Sequence, residues 1–280
     1  MTSLNGSDAF SRRKFLQTGG LALASAAVLA ACGKDGAAGG ESGIPRLGVA
    51  PTTTGLPDAP VTDLVLLRTA QSVEHNAIDA YAAALGLGLF TGDAAALGNV
   101  VKRFQADHRA HSDALGGLIK EAKGEAYDCA NPQINKLYIT PAIDLIVGNK
   151  DAGIEPSDTP LDDLLVLAHG LESLAAATYQ YYVSLLTDPA LRAAAMSIGE
   201  QEGRHATILA QAINPGVAGV LPSIDPDTGR ENVAAVPGAY GSLKTINVAV
   251  GKPSESGSKP SLNMETPSLN SMIYDYMSCS

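Results

Sequence analysis

Residues 200–206 read Glu-Gln-Glu-Gly-Arg-His-Ala, and residues 107–111 read Asp-His-Arg-Ala-His. Each stretch lies in a helical pattern and carries two side chains with metal-binding chemistry three residues apart: Glu202 with His205, and His108 with His111. Positions i and i+3 lie on the same face of a helix. Because Glu-x-x-His also occurs on solvated helices, its interpretation depends on what the rest of the chain supplies.

Two further helical segments each place one glutamate on an apolar face. Glu74 is followed by Tyr81 at i+7, and Glu172 is followed by Tyr179 at the same spacing. A buried carboxylate without a partner costs several kcal/mol, so matched glutamates suggest a shared partner at the centre of a bundle. Two related helix pairs about a pseudo-two-fold axis are therefore expected. The two tyrosines either donate hydrogen bonds near that centre or pack in the core.

Apolar periodicity predicts four long helices. They run from Thr62 to about Leu89, from the turn at residues 91–93 to near Lys123, from residues 159–160 to about Leu186, and from residues 188–189 to before Asn214. Thr159, Pro160 and Asp162 form a capping-box-like start for the third helix. A long connection over residues 125–158, with a short helix after residues 140–141, makes the second and third helices parallel. The prediction is an all-α four-helix bundle with a long crossover between helices 2 and 3.

The N-terminus looks like an export signal. Residues 11–16, Ser-Arg-Arg-Lys-Phe-Leu, resemble a twin-arginine signature, and the apolar run that follows ends in a lipobox-like Leu-Ala-Ala-Cys at residues 29–32. This pattern predicts cleavage before Cys32, acylation of Cys32, and a membrane-anchored extracytoplasmic lipoprotein. An uncleaved anchor and a plain signal peptide are the alternatives. We expect a signal over residues 1–32, a flexible linker over 33–57, the bundle over 58–214, and an extended tail over 215–280 that wraps the bundle.

Charge and cysteine content narrow the function further. The formal net charge is −10 and no basic run follows the signal, which argues against nucleic acid as a partner and leaves the lipid as the contact with the membrane. Cys129 and Cys279 either form a disulfide that ties the C-terminus to the middle of the chain or remain free thiols. The chain has no Cys-x-x-Cys, glycine-rich phosphate loop or Gly-x-Ser-x-Gly motif.

Residues 70–78, 104–111 and 200–209 resemble the ferritin-like superfamily, and within it the exported bacterial ferritin-like domain proteins. The resemblance implies a dinuclear iron or manganese centre, with redox activity on dioxygen, peroxide or ferrous iron. Carried over by position, the implied metal ligands are Glu74, His108, His111, Glu172, Glu202 and His205. Tyr81, Tyr179 and His169 would surround the ligands, and His169 would orient one of them through a hydrogen bond.

His108 departs from the family pattern, which has a glutamate at this position. Three interpretations stay open: His108 is a ligand, Asp107 reaches into the site through a rotated helix, or this half of the site is lost. Three glutamates and three histidines carry less negative charge than the family's ligand set with a glutamate at position 108, which could favour manganese, zinc or a single ion.

The alternative functions are a non-enzymatic cell-envelope stress or structural protein with a residual metal site, and a metal buffer without turnover. The expected partners are a metal ion or a small-molecule oxidant.

Overall fold

The computed structural model describes residues 60–217 and 246–279. The predicted signal, the predicted lipidation at Cys32 and the predicted linker all fall outside the described residues. In chain order the helices are α1 (Asp63–Gly86), α2 (Ala95–Glu121), α3 (Pro132–Ile134), α4 (Thr140–Val147), α5 (Pro160–Leu185) and α6 (Pro189–Ile213). A 3-10 turn spans Gly92–Ala94, a π-helical segment spans Asn135–Ile139, and two strands follow, β1 (Ile246–Ala249) and β2 (Ser261–Met264).

The four long helices α1, α2, α5 and α6 form the bundle. α1 packs mainly on α2 and α5 mainly on α6, while α1 also contacts α5 and α2 contacts α6. The crossover between α2 and α5 carries α3, the π-helical segment and α4. The predicted all-α bundle with a long crossover is confirmed. In the described part of the chain, no helix combines the length and apolarity needed to cross a membrane.

Local chemistry sets where the helices begin. The Thr62 hydroxyl accepts a hydrogen bond from the Val65 amide at 3.3 Å, and the Asp188 carboxylate accepts one from the Ala190 amide at 2.7 Å. Both satisfy amides that lack a partner within the helix. The predicted side-chain cap at Thr159 is wrong, because Thr159 makes no such bond to α5. Its hydroxyl instead accepts a hydrogen bond from the Lys259 ammonium at 3.1 Å.

The described C-terminal segment, residues 246–279, contains a hairpin that the sequence pattern did not predict. β1 and β2 pair antiparallel, with Ile246 opposite Met264. The hairpin packs directly on α5 at Gly170, where an added Cβ would lie 2.3 Å from Val248 Cγ2. Any larger residue at position 170 would therefore push the hairpin away from the bundle.

The last residues are held against α1 and the crossover. The Arg68 guanidinium is only 2% exposed and donates to the backbone oxygens of Glu125, at 2.9 Å, Met277, at 2.5 Å, and Tyr274. A disulfide joins Cys129 to Cys279. Together these contacts fix both ends of the segment from Tyr274 to Cys279.

Removing the disulfide is expected to lower the free energy of unfolding substantially. The bond links residues 150 positions apart, and the chain-entropy model gives about 4–5 kcal/mol for a loop of this size. Urea denaturation of Cys129→Ser/Cys279→Ser, compared with the oxidised protein, measures the loss. Reduction of the wild type should reproduce it. A change below about 1 kcal/mol would show that Arg68 and the apolar contacts hold the segment without the bond.

Candidate metal centre

The bundle centre brings together six buried side chains from four helices. α1 supplies one glutamate, α5 another, and α2 and α6 supply the two pairs, in full Glu74, His108, His111, Glu172, Glu202 and His205. They form two overlapping groups, Glu74–His108–His111–Glu202 and His108–Glu172–Glu202–His205. Within each group the four ligand atoms lie within 4.8 Å of one another. Two of the six residues, His108 and Glu202, belong to both groups.

His108 points into the cluster. Its Nδ1 lies 2.7 Å from Glu74 Oε2, and its Nε2 lies 3.1 Å from Glu172 Oε1. One imidazole therefore presents one nitrogen to each group. The geometry disfavours the interpretation in which this half of the site is lost, because both ring nitrogens face ligand carboxylates.

Glu202 also faces both groups. Its Oε1 lies 2.8 Å from His111 Nδ1, and its Oε2 lies 3.3 Å from His205 Nδ1. The atoms are close, but both Glu202 oxygens and His111 Nδ1 lack a hydrogen-bond partner among the described residues, so their angles are unsuited to a hydrogen bond. Buried polar atoms rarely stay unpaired. Converging carboxylate and imidazole atoms without partners fit a divalent cation.

Two tyrosines connect the halves of the cluster crosswise. Tyr81 of α1 donates to Glu172 of α5, and Tyr179 of α5 donates to Glu74 of α1. The exchange requires α1 and α5 to run antiparallel, since residue 74 lies opposite 179 and residue 81 opposite 172. Burial, followed by the charge of the nearby glutamate, raises the pKa of each phenol well above its ordinary value. Both phenols therefore remain donors that hold the carboxylates in place.

The comparison with known families agrees with this geometry. The family model described as "Ferritin-like domain" matches residues 62–215, which is more than half of the chain. The chain belongs to the ferritin-like family. No significant match was found among curated proteins or among solved structures.

The carboxylates of this ferritin-like domain do not share one electrostatic environment. Burial opposes ionisation of Glu74, but the hydrogen bond from His108 and the charges of His108 and His111 outweigh it and lower its pKa to about 2. Burial likewise opposes ionisation of Glu172, and the charge and hydrogen bond of His108 lower its pKa well below the ordinary value. Burial raises the pKa of Glu202, and the neighbouring Glu74 and Glu172 charges add to the rise.

The histidines shift the other way. Burial opposes their protonation, but the carboxylates around them outweigh it, so the pKa of His111 rises to about 10 and that of His205 to about 9. The pKa of His108 rises well above its ordinary value because Glu202 and Glu172 face it. Without a metal, imidazolium charges balance the carboxylates. A metal ion must therefore displace protons in order to bind.

Asp107 is outside both groups and contacts the far side of a predicted ligand. Its Oδ2 lies 3.3 Å from His205 Nε2, while His205 Nδ1 faces Glu172 at 3.3 Å. Arg103, an exposed residue one turn earlier on α2, forms an ion pair with Asp107, with Arg103 Nη2 2.7 Å from Asp107 Oδ1. Asp107 thus orients His205, and the interpretation of Asp107 as a ligand is not supported. An Arg-x-x-x-Asp spacing in the sequence could not be distinguished from an ordinary surface ion pair.

The remaining histidines do not join the cluster. The predicted hydrogen bond from His169 to a ligand is absent, and in the described residues its buried Nε2 has no partner. Burial lowers the pKa of His169. His75 Nε2 lies 3.1 Å from the Ser112 hydroxyl and so belongs to the contact between α1 and α2.

Replacing Asp107 with asparagine is expected to weaken metal binding about 10–100-fold, the usual effect of losing the partner of a histidine ligand. The amide keeps the size of the side chain but removes the charge that faces His205 Nε2. Titration with Mn²⁺, followed by electron paramagnetic resonance of the free ion, measures the affinity. Arg103→Ala is the graded control and should have a smaller effect, because Arg103 is exposed. Equal affinity in wild type and Asp107→Asn would contradict the positioning role.

Proposed function

We propose that this ferritin-like protein binds two iron or manganese ions in the buried cluster. The observation that carries the proposal is the pair of overlapping four-residue groups, each with its ligand atoms within 4.8 Å. Glu74 and His111 would hold one ion, and Glu172 and His205 the other. Glu202 and His108 face both positions. Mixed carboxylate and imidazole donors suit iron and manganese.

Bound iron or manganese would supply redox chemistry on dioxygen, peroxide or ferrous iron. The protein's own contribution is to hold the ligands and exclude water. Tyr81 and Tyr179 fix the two glutamates through hydrogen bonds, and Asp107 fixes His205. The burial of all six ligands keeps bulk water from the site.

The proposed location is outside the cytoplasm, attached to the membrane through a lipid on Cys32 after twin-arginine export. The order of the two motifs in residues 11–32 supports this proposal. The Cys129–Cys279 disulfide supports it independently, because such bonds persist in oxidising compartments.

Metal analysis of the purified protein tests the proposal. After anaerobic loading with Fe²⁺ or Mn²⁺ and removal of free ion, we expect about two equivalents per chain, one for each ligand group. Loaded protein is then mixed with dioxygen, peroxide or excess ferrous iron, and consumption is followed over several turnovers. Less than one equivalent of metal would contradict the dinuclear proposal.

A second candidate function is a structural or metal-storing protein without turnover. It is favoured by the ion pairs of the metal-free cluster, in which His108 already bridges Glu74 and Glu172. In such a bundle the charges of Glu74 and Glu172 are offset without metal. Stoichiometric metal binding without consumption of any oxidant would support this alternative.

A further inference from the structure

A cavity adjoins the cluster between α1 and α5. Alanines leave the space open: Ala77, Ala80 and Ala84 line it from α1, and Ala168 and Ala175 line it from α5. Larger side chains at these positions would fill it to the density usual for a protein core. The cavity therefore results from the choice of small residues at five inward positions.

One end of the cavity is apolar and the other reaches the cluster. Isoleucines of the crossover, Ile134, Ile139 and Ile143, cover it together with Phe90. Glu74, Tyr81, His108 and Glu172 also line it, so its contents lie against the candidate metal ligands.

The polar groups on its wall are already hydrogen-bonded to other protein groups. Glu74 and Glu172 accept from Tyr179 and Tyr81 and from the two nitrogens of His108. The Asn76 amide is bonded to the crossover: its nitrogen donates to Asn131 and Asn135, and its oxygen accepts from the Asn131 amide. A polar ligand would lose its hydrogen bonds to water and would meet only polar groups that already have partners.

We infer that this cavity binds a small, neutral, apolar organic molecule beside the metal cluster. Its volume is about 50 Å³. Because a water molecule needs roughly 10–15 Å³ on this scale, the space suits a ligand of about three or four non-hydrogen atoms. Apolar cavities in proteins stay dry and take up such molecules. The inference deepens the proposed function, on which it rests for the ligand's role as substrate, but binding itself needs no metal.

The test uses metal-free protein, with xenon and cyclopropane as apolar probes and acetamide as a polar probe of similar size. Binding is followed by ¹²⁹Xe and ligand-detected nuclear magnetic resonance. We expect saturable binding of both apolar probes and none of acetamide. Ala80→Leu adds three carbons inside the cavity and should reduce cyclopropane affinity at least about tenfold. Ala83→Leu, on the exposed face of the same helix, should bind as the wild type does.

The inference is overturned if the wild type binds neither apolar probe, if Ala80→Leu binds cyclopropane as well as Ala83→Leu does, or if acetamide competes equally. Thermal unfolding of both variants shows that the bundle is intact. Metal content is measured separately. If the protein binds cyclopropane but takes up no metal, the proposed metal function is wrong and the cavity site stands. If it takes up metal but does not bind cyclopropane, only the cavity site is wrong.

Discussion

Replacing Glu202 with alanine is expected to remove both metal ions. Glu202 has one oxygen toward each ligand group, and both oxygens are buried without a hydrogen-bond partner in the described part of the protein. Its loss leaves each group one carboxylate short. After anaerobic loading, metal content should fall from about two equivalents per chain to well under one.

Glu200→Ala provides the matched control on the same helix. The Glu200 side chain is 64% exposed and, among the described residues, pairs only with Arg204, four residues along the surface. The Glu200→Ala variant should therefore retain the metal content of the wild type. Glu202→Gln keeps the shape of the side chain and should lose metal as the alanine variant does, which separates loss of charge from loss of packing. Full metal content in Glu202→Ala would show that the ions bind elsewhere.

Metal affinity should rise steeply with pH across neutrality. His108, His111 and His205 are all protonated in the metal-free cluster at pH 7, because the pKa values of His111 and His205 are raised to about 10 and about 9 and that of His108 is also raised. The first ion displaces two imidazolium protons, one from His108 and one from the other histidine of its group, so its apparent affinity should increase about a hundredfold per pH unit between pH 6 and 8. A site of ordinary histidines would level off above about pH 7.

Proton release measures this directly. Mn²⁺ added at pH 7.5 in weak buffer with an indicator dye should release about two protons for the first ion. The stability of the metal-free protein should follow the opposite trend. A raised histidine pKa contributes stability that is present below about pH 6.5 and is lost as the pH rises through about 9 to 10. Metal binding without proton release would contradict the charge balance described for the cluster.

Most of the bundle could be predicted from the sequence because its signals are local. The spacing of apolar residues placed all four long helices, and Thr62 and Asp188 marked two of their starts. The predicted cap at Thr159 is wrong, since its hydroxyl accepts a hydrogen bond from Lys259, a hundred residues later, and none from an α5 amide. The hairpin was missed because each strand has only four residues, too few for a clear alternating pattern.

The sequence predicts which residues form the cluster, but not which hydrogen bonds link them. The i+7 spacing places each tyrosine near a glutamate, yet the phenols bond the glutamate of the other helix, a relation that depends on which residues of α1 and α5 lie level with each other. The sequence leaves Asp107 open as a ligand, whereas in the structure Asp107 contacts the nitrogen of His205 that faces away from the cluster. The cavity depends on five alanines from two helices. A single alanine is common where helices pack, so none of the five predicts a cavity by itself.

Anomalous diffraction from crystals of the loaded protein tests the central claim most directly. Data collected at the iron or manganese absorption edge locate the ions without reference to the protein coordinates. We predict two peaks at the bundle centre, one bounded by Glu74 and His111, the other by Glu172 and His205. A loaded crystal with no peak among these side chains, or with its peaks on the protein surface, would contradict the account.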